Sequence, residues 1–244
     1  MARPVSDAIP DFRRRLLRWF RRHGRDLPWR RTRDPYHVIV SEFMLQQTQV
    51  SRVEPYYGRF LNSFPSLEAL AGATGTMVRE SWAGLGYYRR ADNLHLLARR
   101  VVQEHRGVIP SDPKDLRRLP GVGRYTAGAV ASFAFERSAP AVDTNVARVI
   151  RRAFHPRCSS KALSSRVWQT AELIVPKRGK TAWAFNQGIM ELGALICTAR
   201  VAKCGECPVR AACATGRTTT CHPGAAWSAA TAATGAISKQ LNQV

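Results

Sequence analysis

The stretch Leu119-Pro120-Gly121-Val122-Gly123-Arg124-Tyr125-Thr126-Ala127 reads as a break between two helices. A proline and two glycines interrupt a helical pattern that Tyr125–Phe135 then resumes. Two glycines let the backbone turn tightly, so that the amides opening the next helix can point at one anion. Through Gly121, Val122 and Gly123 such a loop can grip a nucleic-acid phosphate without reading sequence. The same residues also suit an ordinary helix–turn–helix corner, and Gly-x-Gly alone does not separate the two.

Outward from this break, helix signals dominate in both directions. Phe12–Phe20 sets Phe12, Leu16, Leu17, Trp19 and Phe20 among arginines, an amphipathic helix with a basic face. Asp34-Pro35 is a cap-then-proline start for the apolar run Tyr36–Leu45. Val53–Phe64 ends at Pro65, Ser66 caps Leu67–Ala71, and Thr76 starts a helix over Met77–Leu85. Tyr88–His105 reads as one long helix, and Asp112-Pro113 opens a short one. Beyond the break come Tyr125–Phe135, Thr144–Phe154, Ala162–Val175 and Ala182–Ile196. No stretch alternates with period two, so the fold class is all-α. After Cys213 the composition turns to alanine and threonine with no acidic residue, which reads as a disordered tail over 214–244.

The chain has 244 residues, room for one or two domains with a buried core, and 45% hydrophobic content argues against wholesale disorder. No apolar run approaches the ~18 residues of a membrane span, and Met1–Pro10 lacks a secretory h-region. The net charge of +21 favours a polyanionic partner, nucleic acid before a membrane surface. All but six of the basic residues are arginine, which pairs bidentately with phosphate; codon bias would give the same count. What remains is a soluble, strongly basic, intracellular protein.

Three further features carry chemistry. Cys197, Cys204, Cys207 and Cys213 are spaced C-x6-C-x2-C-x5-C, four thiols within seventeen positions. In an intracellular chain that spacing argues for metal rather than disulfides. Zinc usually takes two C-x-x-C knuckles and here there is one; the uneven spacing suits an iron–sulfur cluster better, although ligand softness leaves zinc open. Cys158 and Cys221 lie outside the set and read as small buried or tail residues. Glu42, inside Val38-Ile39-Val40-Ser41-Glu42-Phe43-Met44-Leu45, is a carboxyl on a largely apolar helix. Burial there would raise its pKa and make it a proton donor near neutral pH. The pattern alone favours a plainer place, the exposed stripe of an amphipathic helix. Asp143 stands where a helix should begin and reads first as an N-cap. A capping aspartate is also held ionised by the helix N-terminus, available to a developing cation.

Taken together these residues resemble the helix-hairpin-helix DNA glycosylase superfamily and, within it, the adenine DNA glycosylases of the MutY type. The resemblance runs from about Leu27 to Cys213. It is carried by Leu27-Pro28-Trp29, by Ser41-Glu42 with Met44-Leu45-Gln46-Gln47-Thr48-Gln49-Val50, and by Gly84-Leu85-Gly86-Tyr87-Tyr88. The hairpin, Val142-Asp143, Phe185-Asn186-Gln187, Glu191-Leu192-Gly193-Ala194 and the four cysteines complete it. No single motif decides; their order and spacing do.

The resemblance implies a two-lobed fold: a six-helix barrel domain over 24–136, and an iron–sulfur domain from 1–23 plus 137–213. It implies one [4Fe–4S] cluster on Cys197, Cys204, Cys207 and Cys213, and duplex DNA lying between the lobes. Glu42 would protonate adenine, and Asp143, helped by Asn145, would stabilise or briefly bond the sugar cation. Arg25, Leu27, Trp29, Arg30 and Gln187 resemble residues that line the adenine pocket. Gln47, with Thr48 beside it, and Tyr87 resemble residues inserted into the base stack. Endonuclease III-type relatives carry a strand-cleaving lysine just after the hairpin; here that position is Tyr125, and no lysine lies between Lys114 and Lys161. The expectation is therefore a monofunctional enzyme, monomeric, acting on A·G or A·8-oxoguanine mispairs in a bacterial cytoplasm, bound to the nucleoid through DNA and to no membrane. A thymine or uracil glycosylase acting at T·G or U·G mismatches, and a non-catalytic DNA-binding cluster protein, are the competing readings. The domain with which adenine glycosylases inspect 8-oxoguanine has no counterpart in the ~31 residues after Cys213, too few for a comparable core.

Overall fold

Several helix starts in this chain are written as side-chain caps. In the computed structural model, which describes residues 5–158 and 160–218, Asp34 Oδ1 accepts from the Tyr36 and His37 amides (2.8 and 3.1 Å) at the head of α2, Pro35–Leu45. Ser66 caps α4 (Leu67–Gly72) and Asp112 caps α7 (Pro113–Leu116) in the same way. Each cap satisfies an amide that the helix itself leaves open. Among the described residues the chain forms helices and no strand, apart from an isolated bridge between Cys197 and Ala202. The all-α expectation holds.

The chain divides into two units, Asp26–Phe135 and Met1–Arg25 with Glu136–Val244. In the first, α2 is the central element. It packs on α3 (Val50–Ser63), α6 (Arg89–His105), α8 (Arg124–Phe133) and the 3-10 turn Pro28–Arg30. Residues 36 and 38–44 of α2 are all buried, so this helix has almost no solvent face. The helix α5 (Gly75–Ser81) is shorter than the pattern suggests and starts two residues earlier. Thr74, not Thr76, caps it through its hydroxyl on the Met77 amide at 3.2 Å. It stops before Leu85 because Gly84 and Gly86 adopt φ of +94° and +73°, which no helix accommodates.

The second unit joins α1 (Val5–His23) to α9 (Thr144–Phe154), α10 (Ser160–Ile174) and α11 (Gly179–Leu195). Phe12 and Leu16 of α1 are fully buried in one core with Ile150, Val167, Phe185, Ile189 and Leu192. The expected disordered tail begins too early: Ala214–Thr218 form a short helix, α12, packed on α9. Thr215 is buried there, and its hydroxyl donates to the Arg152 carbonyl at 2.6 Å. A composition shift is a poor boundary marker where one polar side chain finds a buried acceptor. Cys221 and residues 219–244 lie outside the described residues.

The hairpin requires only one of its two glycines. Gly121 has φ +73°, and a Cβ there would sit 2.8 Å from both Phe43 and Asn93. Gly123 has an ordinary extended backbone as N-cap of α8, and a Cβ there would meet nothing within 4 Å. Gly121→Ala is therefore expected to lower stability by about 1–3 kcal/mol, through the left-handed backbone and the clash together. Gly123→Ala should stay within roughly 0.5 kcal/mol of the parent. Chemical denaturation of the two variants checks both. Equal losses would mean that the turn does not rest on Gly121.

Candidate functional site

The candidate residues fall in both units, and each set is built from its own helices. In Asp26–Phe135, Glu42 sits mid-helix on α2 and is 4% exposed, with Oε2 shielded from solvent. The exposed-stripe reading of Glu42 is overturned. The pattern misled because α2 is covered on every side, so its apolar residues mark no single face. Leu27 and Trp29 are buried in and beside the 3-10 turn, Trp29 edge-on to Tyr57 with ring centroids 5.5 Å apart; Arg30 ends that turn half-buried. Gln47 is exposed and Thr48 half-buried in the loop after α2. Tyr87, 61% exposed, lies in the loop before α6. Gln47 and Tyr87 both have left-handed backbone, φ +55° and +49°. Tyr125 is half-buried in the first turn of α8, just past Gly121, Val122 and Gly123. The N-cap of α8 is Gly123, which brings no capping side chain, and a helix N-terminus carries the polarity that attracts an anion.

In the other unit, Asp143 is the N-cap of α9, its Oδ1 accepting from the Val146 amide at 2.7 Å. Asn145 Nδ2 donates to Asp143 Oδ2 at 2.8 Å. Arg148 Nη2 donates to Asn145 Oδ1 and to the Gly193 carbonyl, both at 2.8 Å, and its Nε donates to the Cys197 carbonyl at 2.9 Å. Burial pushes the Asp143 carboxyl above the ordinary aspartate range. The Val146 amide, the Asn145 amide group and the Arg148 charge pull it back in part. Asn186, buried on α11, donates to the Ala139 carbonyl at 2.8 Å and accepts from the Ala141 amide, fixing the segment that leads into Asp143.

Gly193 is what lets α11 approach α9 here: a Cβ on it would lie 2.8 Å from Asn145 Cβ. Arg25 donates through Nε and Nη2 to Glu191, a carboxylate 1% exposed, at 2.6 and 3.1 Å. Its guanidinium is thereby tied into the fold of its own unit. Gln187 is buried one turn before Glu191. Motif reading named Asp143 and Asn145 but missed Arg148, which lies one turn after Asn145 on the same helix face. The i, i+3 spacing of an amide and an arginine was the available signal.

Cys197, Cys204, Cys207 and Cys213 are all half-buried and in no disulfide, and Cys197, Cys207 and Cys213 pack on the core of this unit. Burial pushes the Cys207 thiol up to about 12, and Cys197, Cys213 and Cys204 reinforce the shift. Cys207 thus lies within electrostatic reach of the other three. Cys213 Sγ accepts from the Gly216 amide at 3.3 Å, and Cys197 Sγ from Arg152 Nη1 at 3.4 Å. Hydrogen bonds to sulfur of this kind favour the thiolate and hold metal-ligand loops in shape. No group of three or more histidine, cysteine or carboxylate side chains among the described residues is gathered closely enough to hold a single metal ion.

Comparison with known proteins gives the class, a base-excision DNA repair protein. Residues 40–172 match the HhH-GPD superfamily base excision DNA repair protein family, more than half of the chain, and the chain belongs to that family. It is 46% identical over 195 residues to an adenine DNA glycosylase of Mycolicibacterium smegmatis, covering 80% of this chain and 66% of that protein. To the human adenine DNA glycosylase it is 46% identical over 217 residues, covering 84% of this chain and 39% of that one. The chain thus spans between about two fifths and two thirds of the length of these relatives. Among solved structures it is similar to a thermostable thymine-DNA glycosylase (TM-score 0.80, 31% identity), covering 87% of this chain and 98% of that one. It is also similar to endonuclease III in a trapped DNA covalent intermediate (TM-score 0.74, 25% identity), covering 89% and 98%.

Proposed function

We propose that the chain is a monofunctional DNA glycosylase that removes adenine mispaired with guanine or 8-oxoguanine in duplex DNA and leaves an abasic site. The observation that carries this reading is the pair of carboxyls: Glu42 buried on a largely apolar helix, and Asp143 held by Val146, Asn145 and, through Asn145, Arg148. The adenine itself rests on the curated relatives.

The adenine is flipped out of the stack, which is easiest at a mismatch. Glu42 gives a proton to the base at N7, the C1′–N9 bond breaks with its electron pair leaving on the base, and the sugar becomes an oxocarbenium ion. Asp143 stabilises that cation as carboxylate or bonds briefly to C1′, and water then completes the abasic sugar. Two carboxyls share acid and anion roles as in glycoside hydrolysis. Gly121, Val122 and Gly123 hold a DNA phosphate. Gln47 and Tyr87 fill the stack left open, and Leu27, Trp29, Arg30, Gln187 and Arg25 shape the base pocket. The four cysteines would hold one [4Fe–4S] cluster. Their donor set, mutual proximity and sulfur hydrogen bonds fit a group that spreads its thiolates wider than one ion does, and when bound it supplies a structural tie. No helix among the described residues is long and apolar enough to cross a membrane. The protein acts as a monomer on DNA in the bacterial cytoplasm.

The test is a base-release assay on A·G, A·8-oxoguanine, T·G and U·G duplexes, with borohydride added in parallel. Adenine release from the first two, with no trapped protein–DNA adduct, is expected. Release from T·G or U·G instead would favour the thymine reading, which the likeness to the thymine-DNA glycosylase keeps in play.

A further inference from the structure

Arg90 is 7% exposed, yet its guanidinium donates to five main-chain carbonyls. Nη1 donates to Phe43 O and Met44 O at 3.1 and 2.7 Å, and to Gln46 O as well. These are acceptors at the C-terminal end of α2, where the helix leaves its carbonyls open and a cation is favoured. Nη2 donates to Leu85 O and Gly86 O at 3.3 and 3.1 Å, in the loop before α6. The same guanidinium lies over the rings of Trp82 and Tyr87, 5.6 and 5.3 Å from their centroids. One buried cation therefore ties the loop carrying Gln47 to the loop carrying Tyr87.

Those two residues have the left-handed, non-glycine backbone already noted, a conformation that costs about 1–3 kcal/mol unless its surroundings impose it. Arg90 touches the residue before each of them, Gln46 and Gly86. Other ties are lighter. Arg52, from the start of α3, donates to Gly84 O at 3.0 Å, and Trp82 Nε1 donates to Gly86 O at 3.2 Å. A shape held from beneath, with both tips exposed, is suited to keeping side chains ready for insertion rather than ordering them on contact.

We propose that Arg90 is a positioning residue that locks the Gln47 and Tyr87 loops together in their inserting conformation before DNA arrives. The assignment rests on the glycosylase reading for what the loops do, and on geometry alone for their being locked. A lysine would replace the planar fork with a point charge and reach fewer of the five carbonyls.

The experiment compares the parent with Arg90→Lys and Arg90→Gln by hydrogen exchange of the free protein, and by duplex binding and single-turnover release. Arg79→Ala, which breaks an exposed ion pair with Asp92 on α6, serves as the control. In the Arg90 variants the amides of 45–48 and 84–88 should exchange about tenfold faster, while the interiors of α2 and α8 keep their protection. Affinity for a mispaired over a fully paired duplex should fall about tenfold, the scale of one strained residue released. The release rate at saturating protein should fall less. Faster exchange throughout Asp26–Phe135 would show a merely structural arginine, and unchanged loop exchange would overturn the lock outright. If the parent releases no base from any duplex, the glycosylase reading fails, and the exchange result still decides whether the loops are locked.

Discussion

Asp143→Asn is expected to abolish base release, by on the order of 10³ or more, while leaving the protein as stable as the parent or slightly more so. Asparagine caps a helix about as well as aspartate, so the bond from the Val146 amide at 2.7 Å has a ready replacement acceptor. What disappears is the negative charge that the sugar cation needs. The stability side follows from burial, which raises the Asp143 pKa above its ordinary value. A carboxyl with a raised pKa binds its proton more tightly folded than unfolded. Ionisation of Asp143 therefore costs stability at neutral pH. That cost disappears as pH falls through the folded pKa toward the ordinary aspartate range. Activity runs the other way, because the carboxylate is the working form. The parent's single-turnover rate should drop on acidification with a midpoint above the ordinary aspartate range. Arg148→Gln, which removes a charge favouring the carboxylate, should move that midpoint to higher pH. Rates across pH and denaturation midpoints of the parent, Asp143→Asn and Arg148→Gln test this together. A large loss of stability in Asp143→Asn would make the residue a structural cap and no more.

Opposed trends in activity and stability at one residue are what a site looks like when its shape is set by chemistry rather than by folding. At Gln47 and Tyr87 the backbone angles are likewise ones that no folding rule asks for.

These two kinds of residue also mark where the sequence was readable. Caps at Asp34, Ser66, Asp112 and Asp143 announced their helices because a side-chain oxygen next to open amides is a local signal. The cysteine spacing and the hairpin break were legible for the same reason: a few adjacent residues carry them. Burial of Glu42 was not, because it depends on what covers α2 from α3, α6 and α8. Nor was the left-handed backbone at Gln47 and Tyr87, since neither is glycine and the arginine beneath both loops shows only in the fold. Gly193 was read as part of a motif, yet its reason, the close approach of Asn145, appears only once α9 and α11 are packed. Local chemistry writes itself into sequence; crowding from elsewhere in the chain does not.

Glu42→Gln carries the other large expectation. The amide keeps the shape of the carboxyl on α2 but has no acidic proton to give. General acid catalysis contributes about 10²–10⁴ in rate, and that is the loss expected in single-turnover release. Folding should not suffer, since a neutral amide replaces a carboxyl of the same size and shape. Ser41→Ala is the neighbouring control. Ser41 is 1% exposed, and its hydroxyl donates only to the Val38 carbonyl three residues back, at 2.8 Å. Its removal should leave the rate within a few fold. The sharper measurement is the double variant Glu42→Gln with Asp143→Asn. Groups that act on one bond-breaking event lose their effects together, so the double variant should be little slower than the worse single one. Losses that multiplied in full would mean that the two carboxyls serve separate steps, and the shared acid-and-anion mechanism would not stand. With both rates close to background, the comparison needs enzyme in large excess over duplex and days of incubation. The mispaired duplex alone, carried through the same incubation, fixes the floor below which neither single effect can be read.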